Sequence, residues 1–226
     1  VDWKQHQHLL KAEFPVDIHS DEATFEIQFG SLTRKVHTNT SWDKARFEVC
    51  GQKWMDFSEG HYGVSLLNDC KYGHSVRDGV IGLTLIKSGI EPNPVADQEE
   101  HVFTYALYPH AGTWRDAGTV RESYFLNQPM RTVEGGVPGA AFSFAGVEQS
   151  NVVLETVKQA ENGDGTVLRL YESENARTKT VLRLPAGVTK AYSCSLLEEI
   201  EEELAVQDGK VCFLTKPYEI KTILVR

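Results

Sequence analysis

Long apolar runs are missing from this chain. None approaches the ~20 residues that a helix needs to cross a bilayer, so no membrane partner is expected. The first residues, VDWKQHQHLL, carry neither a basic stretch nor an apolar core, and no signal peptide is read there. A starting methionine is also missing, and the chain opens directly in strand-like sequence, which reads as a piece of a longer protein. Basic excess is lacking: the formal net charge is -9, and no basic face is present to hold a nucleic acid. Cysteine is sparse. Cys50, Cys70, Cys194 and Cys212 lie too far apart for a CxxC pair or a zinc ribbon. Free thiols in a reducing, cytoplasmic compartment are therefore expected, with Cys70 read as a small buried hydrophobe rather than a catalytic thiol. There are no internal repeats and no low-complexity tracts.

Catalytic motifs are missing too. The chain has no GxSxG elbow, no HExxH, no P-loop and no GxGxxG opening a helix. His6 and His8 would share one face of a strand, but nothing nearby completes three or four metal ligands. Paired carboxylates can cleave glycosides, yet spacing along strands does not identify a pair here.

What is present is enough chain for one large or two small domains, with 41% hydrophobic and 24% charged residues, as in ordinary globular proteins. Most of it reads as strands, because β-branched and aromatic runs alternate between Gly, Pro, Asn and Asp. The runs are Thr24–Phe29, Ala45–Val49, Tyr62–Leu67, Val80–Ile86, His101–Tyr108, Val152–Lys158, Val167–Glu172, Thr180–Leu184, Lys210–Leu214 and Tyr218–Val225. Turns about every ten residues argue for sandwiches over βαβ units. One segment differs: Thr113–Asn127 places Ala117, Val120, Tyr124 and Leu126 near one helical face. Thr113 is set to cap it, and Pro129 stops it. The Gly-rich stretch from Met130 to Ala141 is the expected domain boundary, giving domains 1–140 and 141–226.

Three clusters stand out. The first is LLNDCKYGHSVRDG, Leu66–Gly79, where a strand ends in turn chemistry and a new one is expected near Val80. Lysine and tyrosine at the tip exceed what a turn requires. Asp69 reads either as a cap on the loop backbone or as a working carboxylate. Lys71 and Tyr72 read either as a surface turn or as contacts to a sugar hydroxyl or an acidic partner. The second is NTSWDKARFE, Asn39–Glu48, where Ala45, Phe47 and Val49 are expected to share a strand face. Trp42 reads as core or interface ahead of sugar platform, and Arg46 as a fork for Asp43 or Asp56. The third is the acidic run Glu198–Glu203, read as a solvated edge.

The strings LLKAEFP (Leu9–Pro15), ATFEIQFG (Ala23–Gly30), NTSWDKARFEV (Asn39–Val49), KWMDFSE (Lys53–Glu59), YGVSLLNDCKYGHSVRDG (Tyr62–Gly79), FTYALYPHAGTWRDAG (Phe103–Gly118), VVLETVKQAE (Val152–Glu161) and LRLYE (Leu168–Glu172) carry a resemblance. The chain resembles the C-terminal part of glycoside hydrolase family 38 alpha-mannosidases, of the cytosolic and vacuolar branch with its bacterial relatives. The resemblance implies an all-β fold: a galactose-mutarotase-like β-supersandwich portion, then a small C-terminal β-sandwich. It implies that catalysis belongs to an N-terminal α/β barrel with zinc, absent from this sequence, acting on alpha-mannosides with retention. This chain then has no cofactor and no catalytic residue of its own. Its partners are that barrel, alpha-mannoside oligosaccharides and a further copy in a homo-oligomer. The loop with Asp69, Lys71 and Tyr72 becomes one wall of the active site. Golgi and lysosomal types differ here; Arg77 is the candidate equivalent of their sugar-contacting arginine, but it is not taken as a site residue. A stand-alone mannoside-binding module is the competing reading.

Overall fold

The computed structural model describes residues 1–136, 139 and 141–226. They form two compact units, Val1–Arg131 and Thr132–Arg226. The expected boundary at 140/141 touches a residue outside those described. No described helix is long and apolar enough to cross a membrane.

The first unit runs β1 (His8–Pro15), β2 (Glu22–Ile27), β3 (Gly30–Lys35), α1 (Ser41–Ala45), β4 (Val49–Cys50), β5 (Trp54–Ser58), β6 (Tyr62–Asn68), β7 (Gly73–Arg77), β8 (Val80–Ser88), β9 (Tyr105–Ala111) and α2 (Thr119–Asn127). Its strands make two antiparallel sheets, β1-β8-β7-β4 and β3-β2-β5-β6-β9. Phe25, Met55, Phe57, Leu66, Ile81 and Leu83, all nearly inaccessible, form its core. Burying such side chains contributes roughly 1.5–3 kcal/mol apiece against leaving them in water.

The second unit runs β10 (Gly146–Val147), β11 (Val152–Gln159), β12 (Thr166–Glu172), β13 (Thr178–Arg183), β14 (Ala191–Cys194), β15 (Ile200–Leu204), β16 (Lys210–Thr215) and β17 (Ile220–Val225). Two sheets, β10-β13-β16 and β11-β12-β17-β14-β15, enclose Leu168, Leu170, Leu182, Val211 and Ile223. The acidic run ends on β15, an edge strand, where Glu201, Glu202 and Glu203 are exposed; Glu198 lies before it and, unlike the solvated edge expected, is largely covered and paired with Lys158 at 2.7 Å. Charge on an edge deters pairing with another chain.

The all-β expectation holds, and several local expectations change. Of the expected strand Ala45–Val49 only Val49 is extended, as the first residue of β4. Thr40 accepts the Asp43 N–H at 3.1 Å, and Asp43 accepts the Thr40 N–H at 3.1 Å; this capping box nucleates α1 and overrides the alternation. Phe47 is left exposed, and Arg46 pairs with Asp43 at 2.8 Å. The helix expected from Thr113 begins only at Thr119, because Gly118 adopts left-handed backbone (φ 65°) that a right-handed helix cannot pass through. Thr113 and Asp116 instead cap each other around a turn. The strand expected to end at Tyr108 continues through Pro109 to Ala111, which a proline tolerates because β9 is an edge strand. The strand expected near Val80 is β8, which opens at that residue, but another precedes it. β7 starts at Gly73 and turns into β8 at Asp78-Gly79, whose φ values of 50° and 73° suit a two-residue hairpin.

Candidate functional site

β6 belongs to one sheet of the first unit and β7 to the other, so residues 69–72 connect two sheets. Asn68, the last residue of β6, is buried and holds this connection from beneath. Its Oδ1 accepts the N–H of Cys70 (3.2 Å) and of Lys71 (2.6 Å), and its Nδ2 donates to the Gln52 carbonyl at 2.8 Å. Its own carbonyl accepts from Asn127 Nδ2 at 3.0 Å, which ties the end of α2 to the loop. His74 closes the network. Buried fully, it stays neutral: burial pushes its pKa down to about 4. Its Nδ1 lies 3.1 Å from the Tyr72 carbonyl and therefore donates, which leaves Nε2 to accept from Asn68 Nδ2 at 3.4 Å. Gly51 allows this: a Cβ there would stand 2.9 Å from His74 Nδ1.

Asp69 is exposed and caps a neighbouring segment. It exchanges hydrogen bonds with Thr104, donating its N–H at 3.1 Å and accepting the Thr104 N–H on Oδ2 at 3.0 Å. Burial pushes its carboxyl up, but the hydrogen bonds from Cys70 and Thr104 outweigh that and hold it below the ordinary carboxylate range. Cys70 is exposed, not the buried hydrophobe expected, because the loop turns its side chain outward. Partial burial and then the Asp69 carboxylate raise its thiol pKa, which disfavours a nucleophilic thiolate. Lys71 lays its ammonium 5.1 Å from the Phe103 ring centre, and Tyr72 is 59% exposed.

A polar cavity of about 100 Å³ opens beside the loop, lined by Gln52, Lys53, Asn68, Asp69, Cys70, Tyr72 and Asn127. Lys53 is anchored to the buried carboxylate of Glu26 at 2.7 Å and lies over the Tyr124 ring. Burial pushes the Glu26 carboxyl up, partly offset by that ammonium. The structure thus brings Asp69 and Tyr72 to one cavity, whereas Lys71 turns toward Phe103. Gln52, Lys53 and Asn127 escaped sequence reading. They lie 15–59 positions from Asn68, and no local motif marks them. Carboxylate, phenol, ammonium and amides here can hydrogen-bond vicinal hydroxyls or an amide.

Trp54 and Trp114 pack on each other at 4.8 Å within the core. Trp42, expected as core or interface, is 81% exposed on α1. Asp56 is claimed by Ser58, Ser65 and His110 rather than by Arg46; the His110 contact is 2.8 Å. His6 and His8 lie at the surface, His8 Nδ1 against the His6 carbonyl. Among the described residues no group of three His, Cys, Asp or Glu could hold a metal ion.

These features define the class first: an all-β region of two sandwich units, with a braced polar loop in the first. Comparison with known proteins narrows it. The family model "Glycosyl hydrolases family 38 C-terminal domain" matches residues 1–95, and "Glycosyl hydrolases family 38 C-terminal beta sandwich domain" matches 151–223. The chain belongs to glycosyl hydrolase family 38, as part of its C-terminal region. It is 42% identical to alpha-mannosidase 2C1 of Homo sapiens, over all of this chain and 22% of that protein. It is 38% identical to alpha-mannosidase G of Dictyostelium discoideum, over 98% of this chain and 21% of that protein. The chain therefore spans about a fifth of these relatives. An alpha-mannosidase structure from Enterococcus faecalis shares the fold, with a TM-score of 0.78 and 19% identity over 97% of this chain and 26% of that one.

Proposed function

We propose that this chain is the non-catalytic C-terminal β region of a zinc-dependent, retaining alpha-mannosidase acting on alpha-mannosides. The observation that carries this reading is the pair of family 38 C-terminal matches on a chain spanning about a fifth of relatives named alpha-mannosidases. Its first partner is then the catalytic barrel preceding it in the parent protein, which it supports. Within this proposal the zinc is held by that barrel and no step runs through this chain's residues; among the described residues no group of three His, Cys, Asp or Glu would hold it. The free thiols favour a cytoplasmic setting for the parent.

Within this proposal, the Asn68–Gly73 loop forms one wall of the active site. Support comes from its bracing: the hydrogen bonds of Asn68 and His74 hold the outward residues on a rigid sheet junction. Asp69 and Tyr72 would accept and donate to mannoside hydroxyls from the polar cavity, with Lys71 adding a cation at its margin. The test uses this chain and the full-length parent. The chain alone should give no turnover of nitrophenyl alpha-mannoside and no saturable heat with mannobiose, while the parent turns the substrate over. Saturable binding to the chain alone would favour a stand-alone mannoside module, which the polar cavity also permits. Turnover that survives removal of contaminating enzyme would sink the non-catalytic reading.

A further inference from the structure

A second cleft in the first unit, away from the loop cavity, lies where β3, the α1 segment and β7 meet. Arg34, His37, Asp43, Arg46 and Arg77 line it, and it has room for about 30 Å³. That suits an oxygen or two rather than a whole molecule. The Arg34 guanidinium lies over the Phe25 ring at 4.9 Å. Its Nη1 is buried with no hydrogen-bond partner among the described residues, and so is His37 Nδ1. Two buried nitrogens on one cleft are thus left without a hydrogen-bond partner among the described residues. Asp43 does not supply one. Its carboxylate already accepts from Thr40 N–H and Oγ–H and pairs with Arg46 at 2.8 Å, and it stands 3.5 Å from His37 Nδ1. The Asp43 and Arg46 charges offset each other, so Arg34 and Arg77 leave a positive excess in the cleft. Burial pushes the Arg34 pKa down, Cys50 opposes the fall and Arg46 adds to it, so the cation pays for its desolvation.

We infer that this cleft is a binding site for a small oxyanion, a phosphate or carboxylate group, with its oxygens seated between the Arg34 guanidinium and His37 and its outer part facing Arg77. Planar guanidinium donors match both groups, and an anion satisfies charge and hydrogen bonding together where a neutral molecule meets only the second. This site involves none of the loop residues proposed to face mannoside, so the two readings stand or fall separately.

Calorimetry of the 226-residue chain with inorganic phosphate, and separately with acetate, tests it. Saturable binding of phosphate, of acetate or of both is expected, and the pair of titrations identifies which oxyanion the cleft takes. Arg34→Met keeps the packing on Phe25 but should weaken binding by about tenfold or more, the loss of a charge-assisted hydrogen bond. Arg121→Met, on the exposed face of α2, should change nothing. Should Arg34→Met fail to fold, nitrogen-15 resonances of the Arg34 side chain in the unmodified chain give the answer: they should shift on titration with the anion. No saturable heat with either anion, binding that Arg34→Met leaves unchanged, or Arg34 resonances that stay put would overturn the assignment.

Discussion

Asn68 Oδ1 accepts the backbone N–H of Lys71 at 2.6 Å, so one buried amide holds the loop whose outer residues face solvent. The partners of that amide span Gln52, Cys70, Lys71 and His74. Positioning of the exposed residues and stability of the interior therefore depend on the same side chain.

Replacement of Asn68 with alanine should destabilise the first unit by about 2–3 kcal/mol, because two loop N–H groups and the half-buried Gln52 carbonyl lose their partner. Urea unfolding followed by tryptophan fluorescence measures this, with Trp54 and Trp114 buried in the same unit. A change within experimental error would mean that the loop satisfies itself without the amide.

Lys71→Ala should separate activity from folding in the full-length parent. Its exposed cation–π contact with Phe103 contributes about 0.5–1 kcal/mol, so Tm should move little. If the loop touches substrate, kcat/KM on a mannoside falls by more than that stability change explains. A sharp drop in Tm with unchanged activity per folded molecule would make Lys71 structural.

His74 predicts a pH dependence with a definite sign. Burial lowers its pKa from 6.5 to about 4 in the fold, so the unfolded chain takes up this proton first as pH falls. The site's contribution is complete above pH 6.5 and is lost as pH drops toward 4. The total is roughly 3 kcal/mol. Urea midpoints measured across that window should fall in the unmodified chain, and a His74→Gln variant should show a shallower slope. Equal slopes would refute the assignment.

Gly63→Ala should be among the most damaging small changes. A Cβ on this β6 residue would collide with Ser58 Oγ and with the His110 ring, both of which bond Asp56. Overpacking of this kind costs about 1–3 kcal/mol and the displaced hydrogen bonds add to it. Thermal unfolding by circular dichroism checks it; alanine at Gly60, where the added atom meets nothing within 4 Å, is the control.

Much of the strand pattern was legible because alternation and turn residues are local signals. β6, β11, β12 and β16 lie within a residue or two of the segments read from sequence. The failures share a cause. At Asn39–Glu48 the alternation of Ala45, Phe47 and Val49 suggested a strand, but the cap made by Thr40 and Asp43 won. At Thr113 the capping signal was real and bounded only a turn, since Gly118 adopts left-handed backbone. In the loop, Asp69 and Tyr72 stood out by residue type, while Lys53 and Asn127 became neighbours only through strand pairing and helix docking.

The sequence by itself determined the all-β character and the family, because periodicity, composition and long matching strings are properties of the chain read in order. Only the tertiary structure decided that β6 and β7 lie in different sheets, that Asn68 therefore points inward beneath the loop, and that Arg34 and His37 end in one cleft. Alternation tells which face a side chain takes but not which strand lies beside it. That choice rests on pairings between distant residues, and these are fixed only when the core closes.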